Sequence, residues 1–188
     1  MPNWCKNSVT FSHPNTTQIA RVVAAFNQEK LMSEFFPCPE DLNITSGYLG
    51  AGTPEQAELE ALQAANLAKY GFKDWYDWKI SNWGTKWDCG EKDGAEYTDG
   101  DTSVTLNFGT AWSPPIEFYE QMQDAGFEVD ALYYEPGVSF CGRYSEDGDA
   151  YYNITGDSDW VDDNIPPVIN RAFAIAENMS EWEQTQGE

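Results

Sequence analysis

Residues 102–134 read TSVTLNFGTAWSPPIEFYEQMQDAGFEVDALYY. Val104, Leu106 and Phe108 alternate with Thr105 and Asn107, the period-two pattern of a half-buried strand. Ser113-Pro114-Pro115 then opens a helix, because proline at the first helical turn gives up an N–H that would have no partner there. Ile116, Tyr119, Met122 and Ala125 recur every third residue, and Gly126 closes the segment. Phe127 to Tyr134 reads as a strand again. A strand, a helix and a strand thus follow one another with no long linker.

The same reading extends outward. Trp4 to Phe11 is strand-like, and His13-Pro14-Asn15-Thr16 is a turn and helix cap. Ile19, Val22, Val23 and Phe26 then predict a helix from Thr17 to about Lys30. Phe35-Phe36-Pro37-Cys38-Pro39 breaks it. Thr53 and Pro54 begin a second helix, with Leu59, Leu62, Ala65 and Ala68 on its apolar face and Gly71 at its end. Trp75, Trp78 and Trp83 roughly share a helical face up to Gly84. Residues 88–101 read as an acidic loop with a hairpin signal at Asp99-Gly100. Downstream, Pro136-Gly137 and Asp147-Gly148 separate two more strands, Val138 to Tyr144 and Ala150 to Thr155. An acidic loop over 156–164, a helix from Ile165 to Met179 and a polar tail of eight residues complete the chain.

With one further strand hidden before Thr102, the core is βαββαβ. This predicts an α+β fold, a ferredoxin-like antiparallel sheet with helices on one face. The chain is read as a single domain over 1–188, with a helical Trp-rich insertion at about 37–88 and an acidic C-terminal extension at about 145–188. An apolar content of 41% and an aromatic content of 15% supply a core and argue against disorder.

Charge is distributed unevenly. Residues 1–92 hold 8 Lys/Arg and 11 Asp/Glu, whereas residues 93–188 hold Arg143 and Arg171 against 21 acids. The net charge of −22 is therefore almost all in the second half. It argues against direct binding to DNA or RNA, which needs a basic footprint, and against an anionic membrane surface. No window approaches a membrane span, and the N-terminus lacks the basic-then-apolar pattern of a signal peptide. The expectation is a cytoplasmic protein. Cys5, Cys38, Cys89 and Cys141 form no CxxC and read as free thiols. With a single histidine, His13, no metal or cofactor is expected.

No P-loop, GxGxxG or nucleophile–base motif occurs, so a binding protein is preferred over an enzyme. A carboxylate-based hydrolase is an alternative, but among 32 acids some pair meets any required separation by chance. The candidate partner-binding residues are Asp147, Asp149, Asp157, Asp159, Asp162 and Asp163, with Asp93, Glu96, Asp99 and Asp101 as a second patch. Carboxylates on fixed loops can occupy a basic groove built for phosphates. A charge of −22 equals about 11 base pairs of duplex. The alternative site is a small-ligand or RNA-binding patch of Trp83, Lys86, Trp87 and Trp112, in which bases would stack on indole beside a cation.

Three patches carry a family resemblance: Met1-Pro2-Asn3-Trp4-Cys5-Lys6-Asn7, Asn82-Trp83-Gly84-Thr85-Lys86-Trp87-Asp88 and Gly109-Thr110-Ala111-Trp112-Ser113-Pro114-Pro115. Tyr134-Glu135-Pro136-Gly137 and Phe140-Cys141-Gly142 form a fourth. In this order they resemble the YubB-type ferredoxin-like family of bacteriophage and plasmid proteins. The resemblance implies a ferredoxin-like domain and a mobile-element origin, and it implies no reaction. Together with the charge it predicts a non-enzymatic interaction protein, a DNA mimic or anti-defence inhibitor. Its partner would be a host protein with a basic nucleic-acid-binding surface, and a homodimer is left open.

Overall fold

Alternation at the N-terminus builds the centre of a sheet. The computed structural model describes residues 3–186. Its strands are β1 (Trp4–Ser12), β2 (Ala95–Glu96), β3 (Ser103–Ala111), β4 (Glu128–Glu135), β5 (Phe140–Ser145) and β6 (Gly148–Asn153). They form one sheet in the order β2-β3-β1-β4-β5-β6, with every neighbouring pair antiparallel. Val9 lies between Leu106 of β3 and Ala131 of β4, which fixes the register of the three central strands. The strand sought before Thr102 is β2, two residues long. It is joined to β3 through a turn in which Asp101 N–H donates to Thr98 O.

The helices are α1 (Thr16–Asn27), α2 (Leu31–Phe35), α3 (Pro54–Tyr70), α4 (Trp75–Trp83), α5 (Ile116–Asp124), α6 (Ser158–Asn164), α7 (Pro167–Phe173) and α8 (Ile175–Gln186). One face of the sheet presents Val9, Phe11, Leu106, Phe108 and Val129 to Ile19, Val22 and Phe26 of α1 and Phe118, Tyr119 and Met122 of α5. Phe11 meets Phe118, Tyr119 and Phe127 edge-on. Each such aromatic pair adds about 0.5–1.5 kcal/mol beyond area burial.

Among the described residues the opposite face is covered mainly toward β4–β6. There Leu132, Tyr134, Cys141 and Tyr152 pack against Val161, Ile165, Ile169, Phe173 and Ile175 of the C-terminal segment. That segment differs from its sequence pattern. Residues 156–164, expected as a loop, contain α6, because the Asp157 side chain caps the helix by accepting from Trp160 N–H. The helix expected over 165–179 is divided into α7 and α8 at Ala174, whose φ is +49°. The expected polar tail is helical to Gln186; residues 187–188 lie outside the described residues.

The insertion forms as its caps dictate. Thr53 caps α3 and Gly71 ends it in the left-handed conformation. Leu62, expected on the apolar face, is exposed, while Leu59, Gln56 and Asn66 are buried. Polar contacts hold α3: Asn66 Nδ2 donates to Asp41 O and Lys73 O, and Lys69 pairs with Asp41.

Candidate functional site

The patches singled out in the sequence converge at one end of the sheet. Trp4 lies opposite Ala111, and Lys6 lies between Gly109 and Tyr134. Asn7 is buried, and its Nδ2 donates to Cys5 O and Thr110 Oγ1, each at 2.9 Å. Thr110 Oγ1 donates to Ser113 O, Ser113 Oγ to Gly84 O, and Thr85 Oγ1 to Ala111 O. Asp88 accepts from Met32 N–H, Ser33 N–H and the Ser33 hydroxyl, satisfying the first turn of α2 from outside that helix. Gly84, at φ +79°, ends α4 and lets the chain turn toward this network.

The four residues of the alternative patch do not form one surface. Trp83 is 1% exposed, and its indole N–H donates to Phe36 O at 2.9 Å. It is a core anchor. Trp87 and Trp112 are 41% and 53% exposed. The Lys86 ammonium lies 4.1 Å from the Trp87 ring and 5.8 Å from the Trp112 ring. Trp4, absent from the sequence-derived set, adds its ring 6.2 Å from Trp87. Trp112 holds φ at +75°, a left-handed conformation that bulky residues adopt at a cost of about 1–3 kcal/mol. Its N–H donates to Asn3 O, which keeps the turn in place and the indole in solvent.

The acidic residues lie where the charge pattern implied, on exposed surface, but in two separate places. Asp93, Glu96, Asp99 and Asp101 surround β2 at one sheet edge. Asp147 and Asp149 lie on the β5–β6 hairpin at the other, five strand spacings or about 24 Å away. Asp157, Asp159, Asp162 and Asp163 belong to α6 or its cap. The two groups at this second edge are linked by α7. Asp147 and Asp149 share a shallow cleft with Pro166 and Val168, and Asp162 accepts from Asn170 Nδ2 at 2.7 Å. Asp149 accepts from the Tyr133 hydroxyl at 2.7 Å. The ion pairs among the described residues are Arg21–Glu34, Lys69–Asp41, Lys92–Glu29 and Arg143–Asp130, and none uses any of these ten acids.

The thiols are set against nucleophilic use. Burial pushes Cys89 up to about 12 and Cys141 up to about 11, and raises Cys5 further still. Burial also raises Cys38, which is only half-buried. A reactive cysteine needs the opposite shift. His13 accepts from Asn15 N–H through Nδ1 and packs on Phe127, which is a turn-forming role. Among the described residues no three His, Cys, Asp or Glu side chains form a group able to hold a metal ion, and no helix is long and apolar enough to cross a membrane.

No family model matches this chain, and no curated protein matches it. Among solved structures, protein api92 from Yersinia pseudotuberculosis, of the DUF1281 family, is similar over 83% of this chain and 100% of its own, at 12% identity and a TM-score of 0.43. A likeness that loose bears on neither site.

The sequence-derived patch leaves out Trp4, Trp75 and Lys79, all half-buried. Trp4 sits in a strand pattern, and the other two sit in a helix whose aromatic stripe reads as core. The proline pairs and the crowding of tryptophan with lysine are the signals that mark this region.

Proposed function

We propose that the chain is a non-enzymatic interaction protein of a phage or plasmid, acting in the host cytoplasm. Its acidic edge, formed by the β5–β6 hairpin and α6, occupies a basic nucleic-acid-binding surface of a host protein. One observation carries this reading: Asp147, Asp149, Asp157, Asp159, Asp162 and Asp163 are exposed along linked elements, and among the described residues none forms an ion pair, although Arg143, paired with Asp130, shares the cleft of Asp147 and Asp149. Fixed carboxylates of one sign steer a basic partner and compete with phosphate, with a strong dependence on salt. The family resemblance supports the mobile-element origin. The β2 patch, on the far edge, is a separate surface and contributes through the long-range field of the molecule.

The test has two steps. The chain captures its partner from host lysate, and a salt gradient elutes it. The captured protein is then assayed for duplex binding in the presence of added chain. The expected result is competitive loss of duplex binding, abolished when the six aspartates are changed to asparagine. Duplex binding that is unaffected by the chain, or equal inhibition by the six-fold variant, overturns the reading.

A further inference from the structure

Lys79 is the residue that this reading leaves unused. It projects into a cavity of about 560 Å³ whose walls include Pro37, Pro39, Trp75, Trp83 and Trp87. That volume lies in the range of small-molecule sites, roughly 300–1,000 Å³, which combine apolar walls with a few placed polar groups. The Lys79 ammonium stands 4.7 Å from the Trp83 ring and 5.3 Å from the Trp75 ring. No carboxylate lies within ion-pair distance of it among the described residues, in a chain with 32 acids. Glu40, an exposed residue, also lines the cavity without pairing with Lys79, and nearby Asp74 caps α4 by accepting from Tyr76 N–H and Asp77 N–H. Among the described residues this ammonium has ring faces but no paired carboxylate, so it keeps attraction to spare for an anion, while indole and proline surfaces favour a flat apolar body.

We propose that this cavity binds a small planar aromatic monoanion, such as an aryl carboxylate or sulfonate, with its ring against Trp75 and its charge at Lys79. Trp83 forms the floor, fixed by its bond to Phe36 O, and Trp87, whose ring lies 6.2 Å from that of Trp4, forms a wall. The site is distinct from the acidic edge and does not depend on the function proposed for that edge.

Two dyes of similar shape test the proposal on the intact chain: the anion 8-anilinonaphthalene-1-sulfonate and its neutral counterpart N-phenyl-1-naphthylamine. The anion should bind saturably at one site and quench tryptophan emission. Lys79→Gln should weaken the anion about tenfold and leave the neutral dye unchanged, whereas Trp75→Leu should weaken both. Lys73→Gln, on the exposed segment before α4, should change neither. Thermal melting confirms that each variant is folded. Absence of saturable binding, equal affinity for the two dyes, or an unchanged anion affinity in Lys79→Gln overturns the proposal.

Discussion

Changing Asp147, Asp149, Asp157, Asp159, Asp162 and Asp163 together to asparagine reduces the net charge from −22 to −16 and should leave the fold standing. The structure shows why. Three of the six accept hydrogen bonds: Asp149 from the Tyr133 hydroxyl, Asp157 from Trp160 N–H and Asp162 from Asn170 Nδ2. Asparagine offers a carbonyl oxygen in the same position and caps helices as well as aspartate does. Each bond loses its charge assistance, a loss of about 0.5–1 kcal/mol. Against this, Asp159 stands three and four residues before Asp162 and Asp163 on α6. Like charges at those spacings oppose one another by about 0.2–0.5 kcal/mol per pair. Removing Asp162 and Asp163 also relieves the negative end of the helix dipole, while losing Asp159 weakens the positive end. Losses exceed gains, so stability at ordinary salt should fall by about 0.5–2.5 kcal/mol, or roughly 1–10 °C in a chain of this size, which leaves the fold standing.

The salt response is the decisive part. Screening lengths fall from about 30 Å at 0.01 M to ~10 Å at 0.1 M salt, so unpaired exposed charges act mostly at low salt. Thermal melting of the parent chain in 0.01 M and 0.5 M NaCl should show a clear rise with salt, and the six-fold variant a smaller one. If the variant unfolds at room temperature, or melts with the parent's full salt response, these carboxylates are not the free, repelling set described above.

Trp83→Ala should cost about 3–5 kcal/mol in urea unfolding, since it empties a buried site and leaves Phe36 O without its donor, whereas Trp112→Ala should cost less than ~1 kcal/mol. Asp88→Ala should cost about 2 kcal/mol or more by uncapping α2, with Asp88→Asn recovering part of it in the same assay. Iodoacetamide at pH 8 should label Cys38 first in the native chain and all four thiols after denaturation, because Cys5, Cys89 and Cys141 are buried and hold their protons. The same thiols should make the chain lose stability in alkali. Their folded values lie above the ordinary 9.0, so between pH 9 and about 12 the folded state holds protons that the unfolded state has released. The thiols should therefore leave the urea midpoint unchanged from pH 7 to 9 and lower it steadily from pH 9 to 11.

Most of the sheet was legible because its strands alternate cleanly. The stretch from Val104 to Tyr134 folds as its periodicity requires, and β1 pairs with both of its products. The C-terminal segment was not legible, and for a physical reason. Residues 158–164 carry three acids in seven positions, and such a run reads as solvated loop until Asp157 is seen to cap it and Val161 to anchor it beneath β5. Ala174 breaks a continuous helical pattern with no glycine to signal it. The acidic residues were correctly read as exposed, yet no sequence pattern says that a sheet separates Asp93 from Asp147. The cavity at Lys79 depends on Pro37 and Pro39 returning to meet α4, a long-range contact that local spacing does not encode.

The two conspicuous features of the chain also stand in opposite relations to its stability. In the run from Trp83 to Asp88, Trp83 fills the core, Gly84 ends a helix, Thr85 bonds to β3 and Asp88 caps α2. In that run Lys86 and Trp87 have side chains that reach solvent, while Trp83 reaches the Lys79 cavity from the core. An unusual composition there is explained by architecture, and substitutions should register first as lost stability. The acids of the β6 edge make few bonds that asparagine cannot replace, and their mutual repulsion opposes folding. Apart from the cap at Asp157 and the bonds of Asp149 and Asp162, which asparagine can keep, the negative charge of this set contributes nothing to the architecture, which is why the functional reading is placed on the carboxylates and not on the tryptophan motif.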